Sequence, residues 1–598
     1  MNALRASRVG LAIALALAFI APASAQEAAP PSGPVRLTPR PPAPNQAAPA
    51  PATPTPGEAP AEAGSVRRET LPIETQELRA PNVEAVGLLD AASGSLGAAM
   101  WAGSSRATIA RLLPDLPAAT PSATARALTK RLLLTPAEAP GDPNGPSLLS
   151  ARVERLMAMG EVESAVALLA LAPARLANET TLKAKVEGLL LVFDEAAACK
   201  EIEHAPRESK DPFWLKAQIL CRLLGGDKGK AQAQLGLDLL REQKGEDAAF
   251  VNLAEGMLGL NPPPLASLAD PQPLHIALVR AAKKTPPPDI VRARHPGVLR
   301  ALALGPVLDL DTRLAAAERA LALGVIEAED VRRLYNGLQF TDRELAQALT
   351  AADGDRGPRA RALVFRATRM QTQPVARAEL VAKAMAQAAA GNAFLTAARL
   401  YEPLIREMPP GPGLVWFAPV AARALLGAGD AAAALPWIEL AMAARAPEDR
   451  PMQILLAPLA RLALPGQAGA NGVAALLEAW MGQQKDVARD LLLLRAGTLY
   501  GLLDALGDPP GEAWLALNEG SRLVALPLPR PALWHGLRLA ESGKRLGETV
   551  LYALASLGEA GPASDPVTLY RAVAALKALG LEREARQIAI EAALASGG

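Results

Sequence analysis

Two cysteines and four histidines are the residues of this chain best suited to redox, metal or nucleophilic chemistry. Cys199 and Cys221 are too far apart for the Cys-x-x-Cys pattern of a dithiol oxidoreductase. Metal binding needs three or four converging ligands, and His204 alone does not suffice. Cys199 ends a helical stretch that begins near Thr180, and Cys221 falls within the next, Trp214 to Leu224. Facing positions on successive packed helices come within disulfide range. In an oxidising compartment such a pair is expected to bond, the alternative being two separate buried thiols. His204, His275, His295 and His535 form neither His-x-x-x-His nor His-Glu-x-x-His, so a zinc-protease site has no ligands. Ser93-Gly94-Ser95-Leu96-Gly97 lacks the first glycine of a nucleophile elbow, and no Ser-x-x-Lys occurs. Gly225-Gly226-Asp227-Lys228-Gly229-Lys230-Ala231 is one residue short of a phosphate loop, ends in alanine and follows a helix, so it reads as an interhelical turn. No catalytic, cofactor-binding or metal-ligating residue is assigned, and a non-enzymatic protein without a cofactor is expected.

The elements that would position any site are helices. The 598 residues are 50% hydrophobic but only 3% aromatic, and they include 128 alanines and 54 prolines. Apolar content dominated by Ala and Leu favours helix over sheet. With 62 basic against 61 acidic side chains, the electrostatic footprint of a nucleic-acid binder is missing, so no nucleic-acid partner is expected.

The first 25 residues read as a secretory signal. Arg5 and Arg8 precede an uncharged apolar stretch, Val9 to Ile20, and Ala23-Ser24-Ala25 supplies a cleavage site before Gln26. The apolar stretch falls short of the roughly 20 residues that span a bilayer, and no later run reaches that length. A periplasmic location without a membrane span after cleavage is therefore expected. If the signal stayed attached it would be an anchor. Residues 26–70 are dominated by Pro and Ala, with 12 prolines between Gln26 and Ser65. Proline removes amide donors and alanine buries little, so a disordered tail is expected there. Residues 71–146 form an irregular N-terminal helical region, including a basic helical stretch from Ser122 to Leu134.

From 147 to 598, amphipathic stretches alternate with short turns of one form. Gly160, Gly226, Gly429 and Gly580 each follow an apolar helical stretch, where a glycine supplies the positive φ of a helix C-terminus. Asp227 and Asp430 follow two of these glycines as candidate caps of the next helix. Five residues beyond each glycine stands alanine: Ala165, Ala231, Ala434 and Ala585. Seven before lie Val153, Ile219, Ala422 and Val573. A small residue one turn into the second helix lets two antiparallel helices approach closely, and stacked pairs then share a continuous core.

These units resemble tetratricopeptide-type repeats, which pair two antiparallel helices in about 34 residues. Leu, Ala or Met mostly replaces that family's first-helix Trp and Tyr, so the repeats are degenerate. The resemblance implies an all-α fold, an α-α superhelix of stacked antiparallel pairs extending as a rod. An irregular all-α domain is the alternative. Glu541-Ser542 resembles the catalytic dipeptide of exported lytic transglycosylases that carry an Ala-rich superhelix. Only 56 residues follow it, too few for their catalytic domain. The tryptophans at helical spacing are expected in the core rather than on a binding surface. The function expected is that of an exported, soluble scaffold or adaptor holding a protein or peptide on its concave face. The alternative is a regulator of peptidoglycan or a lytic-transglycosylase-like component.

Overall fold

The computed structural model describes residues 83–141, 145–172, 178–242, 247–464, 472–518 and 528–597. The expected signal peptide 1–25 and Pro/Ala-rich segment 26–70 lie outside the described residues. Among the described residues there are 27 α-helices, several short 3-10 turns and no strand. None of these helices is long and apolar enough to cross a membrane.

The helices stack as sequential antiparallel pairs, which makes the fold all-α and solenoid-like. Examples are Leu148–Met159 with Val162–Ala170, Pro212–Leu224 with Asp227–Arg241, Ala418–Gly427 with Ala431–Ala443, and Pro566–Ala578 with Glu582–Ala595. The turn within each pair has a mechanical cause. Gly160 sits at φ +77°, and its N–H bonds back to Met157 O (3.0 Å) while the Glu161 N–H bonds to Leu156 O (2.9 Å). Gly429 and Gly580 repeat this double bond, with Asp430 N–H to Leu425 O (2.9 Å) and Leu581 N–H to Leu576 O (3.0 Å). The pattern satisfies carbonyls that a helix end would otherwise leave bare, and it reverses the chain in one residue. Ala165, Ala434 and Ala585 are buried, as are Val153, Ala422 and Val573 seven before each glycine.

Two expectations fail at the second unit. Ala231 is exposed, and Asp227 is the first helical residue rather than the cap. Gly226 itself is the N-cap, at φ 71° and ψ −150°. The helix therefore starts one residue after the glycine, whereas those after Gly160, Gly429 and Gly580 start two residues after it. One residue is about 100° of helical rotation, so the packed face moves to Gly229, Ala233, Gly236 and Leu237. A Cβ on Gly229 would lie 1.9 Å from Arg222 O, so the close approach needs glycine there. Asp430 does cap its helix, accepting the Ala433 N–H at 3.0 Å.

The same turn also occurs where sequence offered no glycine. Phe193 (φ 66°) and Lys544 (φ 52°) adopt the left-handed conformation, with Asp194 N–H to Leu189 O (2.9 Å) and Arg545 N–H to Ala540 O (3.0 Å). Five residues on stand Ala198 and Thr549, both fully buried, and seven before stand Val186 and Leu537. The spacing rule thus reaches units that a search for glycine misses.

The array does not stay open as a rod. Ala123–Leu134 packs against Leu546–Leu557 and Glu582–Ala595, so the first long helix meets the last. Glu582–Ala595 also touches Phe394–Arg406, Ala418–Gly427, Arg450–Ala463 and Arg489–Ala505, which makes it a hub for the second half of the chain. The basic face expected on 122–134 is spent inside. Arg126 is buried and ion-paired with Glu161 (2.9 Å), and Arg131 pairs with Glu584. Ala585→Leu, which overfills a buried pair interface, is expected to lower stability by about 1–3 kcal/mol. Ala231→Leu should stay within about 0.5 kcal/mol of wild type. Urea midpoints of the two variants check this, and equal losses would refute the assigned register.

Candidate functional site: a polar cavity where the chain closes

The cysteines meet as the sequence suggested. Cys199 and Cys221 are disulfide-bonded with their Cα atoms 5.7 Å apart, joining Glu195–Ile202 to Pro212–Leu224. Both helices are capped by aspartate. Asp194 accepts the Ala197 N–H at 3.0 Å, and Asp211 accepts the Phe213 N–H at 2.9 Å. No free thiol remains.

The histidines serve structure. His275 is buried, and its Nδ1 accepts the Gln272 N–H at 2.9 Å. That bond leaves the proton on Nε2, which donates to Asp247 Oδ1 at 3.1 Å. Asp247 also pairs with Lys216 at 2.7 Å. Burial opposes ionisation of Asp247, but His275, Lys216 and the Phe250 N–H outweigh it and hold the carboxyl well below the usual carboxylate range. With both ring nitrogens engaged, His275 has no position left for a substrate. His295 caps Pro296–Leu304 through Nδ1, and burial lowers its pKa. His204 and His535 are exposed. Among the described residues no three His, Cys, Asp or Glu side chains are grouped to hold a metal. Glu541 and Ser542 close the helix Pro531–Ser542, and the Ser542 hydroxyl donates to Leu539 O (3.2 Å). Trp101, Trp214, Trp437 and Trp480 are core residues, while Trp416 (45%) and Trp514 (38%) are exposed.

A concave feature lies where an early helix and the last helix of the array meet. It is an open cavity of about 1060 Å³, lined by residues of Ala123–Leu134, of 427–431 and of the last helix, Glu582–Ala595. Its floor is Glu591, 2% exposed although it is a carboxylate. Ser122 donates its hydroxyl to Oε2, and Thr124 gives Oε1 both its hydroxyl (2.8 Å) and its backbone N–H (3.2 Å). The last helix thereby caps the first long one with a negative charge, where the helix dipole favours it. Burial raises the pKa of Glu591, and the Ser122 and Thr124 donors only partly offset it. Around the rim, Arg131 bonds Glu584 and Gly94 O (2.8 Å), Arg586 bonds Glu582 (2.6 Å) and Leu462 O (3.1 Å), and Gln587 donates to Leu426 O (2.9 Å).

A second cavity of about 460 Å³ shares Ala428 and Gly429 with the first. Glu327, Arg399, Glu402, Arg406 and Asp430 line it. Arg406 lies 3.6 Å from Asp430 and 3.7 Å from Glu402. Burial, and then the charge of Asp430, raise the pKa of Glu402. Arg399 is largely desolvated, which lowers its pKa, and it has no carboxylate within 4 Å among the described residues. Its contacts are two long ones, to Leu395 O and Leu321 O, both 3.4 Å. The two cavities together present both signs of charge between small side chains. Both Glu591 oxygens already accept hydrogen bonds, and the arrangement can hold a polar guest.

Sequence reasoning missed this site. Its one local signal was a lone carboxylate inside the apolar run Ile588-Ala589-Ile590-Glu591-Ala592-Ala593-Leu594. The donors Ser122 and Thr124 are more than 460 residues away. By fold the described chain is an all-α array of stacked helix pairs in which Ala123–Leu134 meets the last helix. Comparison with protein-family models, with curated proteins and with solved structures finds no match.

These contacts generate three expected outcomes. Replacing Cys199 and Cys221 by serine should cost about 3 kcal/mol, the chain-entropy value for a loop of this size. A urea midpoint that is the same in oxidised and reduced protein would contradict this. Glu591→Ala strands three donors, one buried and two partly buried, and should cost on the order of 2–4 kcal/mol. In Glu591→Gln the sign depends on pH. The folded pKa of Glu591 exceeds its ordinary value of 4.5, so its stabilisation is complete below that value and is lost as pH rises through the folded pKa. The variant should therefore gain on wild type in urea midpoint as pH rises above 4.5, and a flat difference would refute burial of the charge.

Proposed function

We propose that this protein is an exported, soluble scaffold or adaptor of the cell envelope, a degenerate tetratricopeptide-like solenoid that holds a protein or peptide partner in its concave interior. The observation that carries this reading is the pair of neighbouring cavities that share Ala428 and Gly429 in their walls. They are roomy, lined by both signs of charge, and surrounded by backbone held open by glycine and alanine. Pockets with convergent polar groups are the default binding sites of a fold, and helical arrays are used for extended binding surfaces. The step from fold to role is analogy. The signal-like start, the disulfide and the near-zero net charge suit a partner in an oxidising compartment rather than nucleic acid. No catalytic role is proposed. The lytic reading has no supporting geometry, since Glu541 and Ser542 lie at a helix end outside both cavities.

The test is Ala428→Trp. This half-buried alanine borders both cavities, so an indole there takes up space in both. The tagged variant and wild type are compared in affinity capture from an envelope fraction, with circular dichroism melts to confirm folding. Partners captured by wild type should be lost from the folded variant. Identical capture by both proteins would sink the cavity as the binding site.

A further inference from the structure

The helix Asp227–Arg241 packs on Pro212–Leu224 through one face and barely touches anything else in the described chain. Its outer face carries Leu235, 67% exposed, and Leu239, 56% exposed, one turn apart. These are among the most exposed large apolar side chains described, and both stand on a regular helix. Ala231, the residue expected to meet a neighbouring helix, lies exposed on the same face. Lys228, Gln232, Asp238 and Glu242 complete it, all exposed. Neither Lys228 nor Glu242 has an ion-pair partner among the described residues.

The order of these residues has a centre. Lys228 and Glu242, Ala231 and Leu239, and Gln232 and Asp238 are each placed symmetrically about Leu235. The spacing Lys228, Ala231, Leu235, Asp238, Glu242 alternates three and four, the seam of two packed helices. If two such helices lie antiparallel about a two-fold axis at Leu235, each leucine at the centre meets its counterpart. Ala231 then leaves room for Leu239 of the second copy, a small residue opposite a large one. Lys228 at one end meets Glu242 of the second copy, cation against anion. In a parallel pairing the same residues would set Lys228 against Lys228 and Glu242 against Glu242. A two-fold interface is self-complementary by construction, and this face has that property in size and in charge.

We infer that the exposed face of Asp227–Arg241 is a homodimer interface, in which two copies of this chain pair antiparallel about Leu235. One helix per subunit buries less than the roughly 800 Å² per partner of a standard stable interface, so the dimer is concentration-dependent. It would place two copies of the closing cavity on one assembly. This inference does not rest on the cavity being a binding site.

The test uses the absence of free thiols in the folded chain. Leu235→Cys introduces a single reactive thiol at the proposed axis and removes no buried contact. Under mild oxidation it should give a disulfide-linked dimer at least about tenfold faster than Leu515→Cys, because apposed thiols have a high effective concentration. Leu515 is a fair control, since it is 65% exposed and remote from the helix in sequence. Sedimentation of the full exported chain should show that Lys228→Glu lowers the dimer fraction. Combining Lys228→Glu with Glu242→Lys should restore it, because the antiparallel register keeps opposite charges facing. Equal cross-linking of Leu235→Cys and Leu515→Cys would overturn the inference. So would a double variant that stays as weak as the single one. A wild-type chain that remains monomeric at all concentrations, yet loses capture of a helical partner in Leu235→Glu, would assign the face to that partner and overturn self-pairing.

Discussion

The closure of this helical array depends on a carboxylate that has been taken out of water. Glu591 lies in the last helix, but its oxygens accept hydrogen bonds from Ser122 and Thr124 at the start of the first long helix. A buried carboxylate is costly unless its lone pairs are filled, and three donors at a helix N-terminus fill them. The bond is specific for the same reason: a shifted last helix would leave the carboxylate bare and the donors stranded. Arg131 with Glu584 and Arg530 with Asp115 join the same two ends nearer the surface. The first pair is partly buried and the second, more exposed, contributes little, but both act in the same direction as Glu591.

The pairs themselves are set by backbone geometry more than by side-chain identity. One residue at positive φ lets two helices reverse, and a small residue five positions on lets them touch. Alanine does this at 165, 434 and 585, and threonine does it at 549. Glycine is the cheapest residue at positive φ, yet Phe193 and Lys544 hold the same conformation because two backbone hydrogen bonds fix it. The aromatic anchors of the tetratricopeptide pattern are largely missing. The close approach that alanine permits replaces some of the contact area they would give, which suits a chain that is one-fifth alanine.

Closure also explains where the polar interior comes from. Helix pairs bury apolar stripes against their neighbours, and what remains faces inward with charges of both signs. Arg399, Glu402 and Arg406 stand on the one helix Phe394–Arg406, Asp430 caps Ala431–Ala443 close by, and the small residues Ala428 and Gly429 lie in the same wall. The disulfide sits away from this centre. It fixes two adjacent units early in the array, where the helices Glu195–Ile202 and Pro212–Leu224 are joined by a polar segment rather than by a tight turn.

The sequence by itself determined everything that is local. Alanine and leucine at three-four spacing specified helices, and glycine with alanine five residues later specified pairs. Two cysteines on successive helices specified the disulfide. These signals are readable because the interacting residues lie within a few turns of one another. The second unit was misread for an equally local reason, since a double glycine starts its helix one residue early and turns Ala231 outward. Only the tertiary structure decided that Ala123–Leu134 meets the last helix, that Glu591 meets Ser122 and Thr124, and that Arg126 is buried against Glu161 while Arg131 reaches Glu584. Those contacts join residues tens to hundreds of positions apart, and their register comes from the curvature summed over every pair between them. No single stretch of sequence carries that sum.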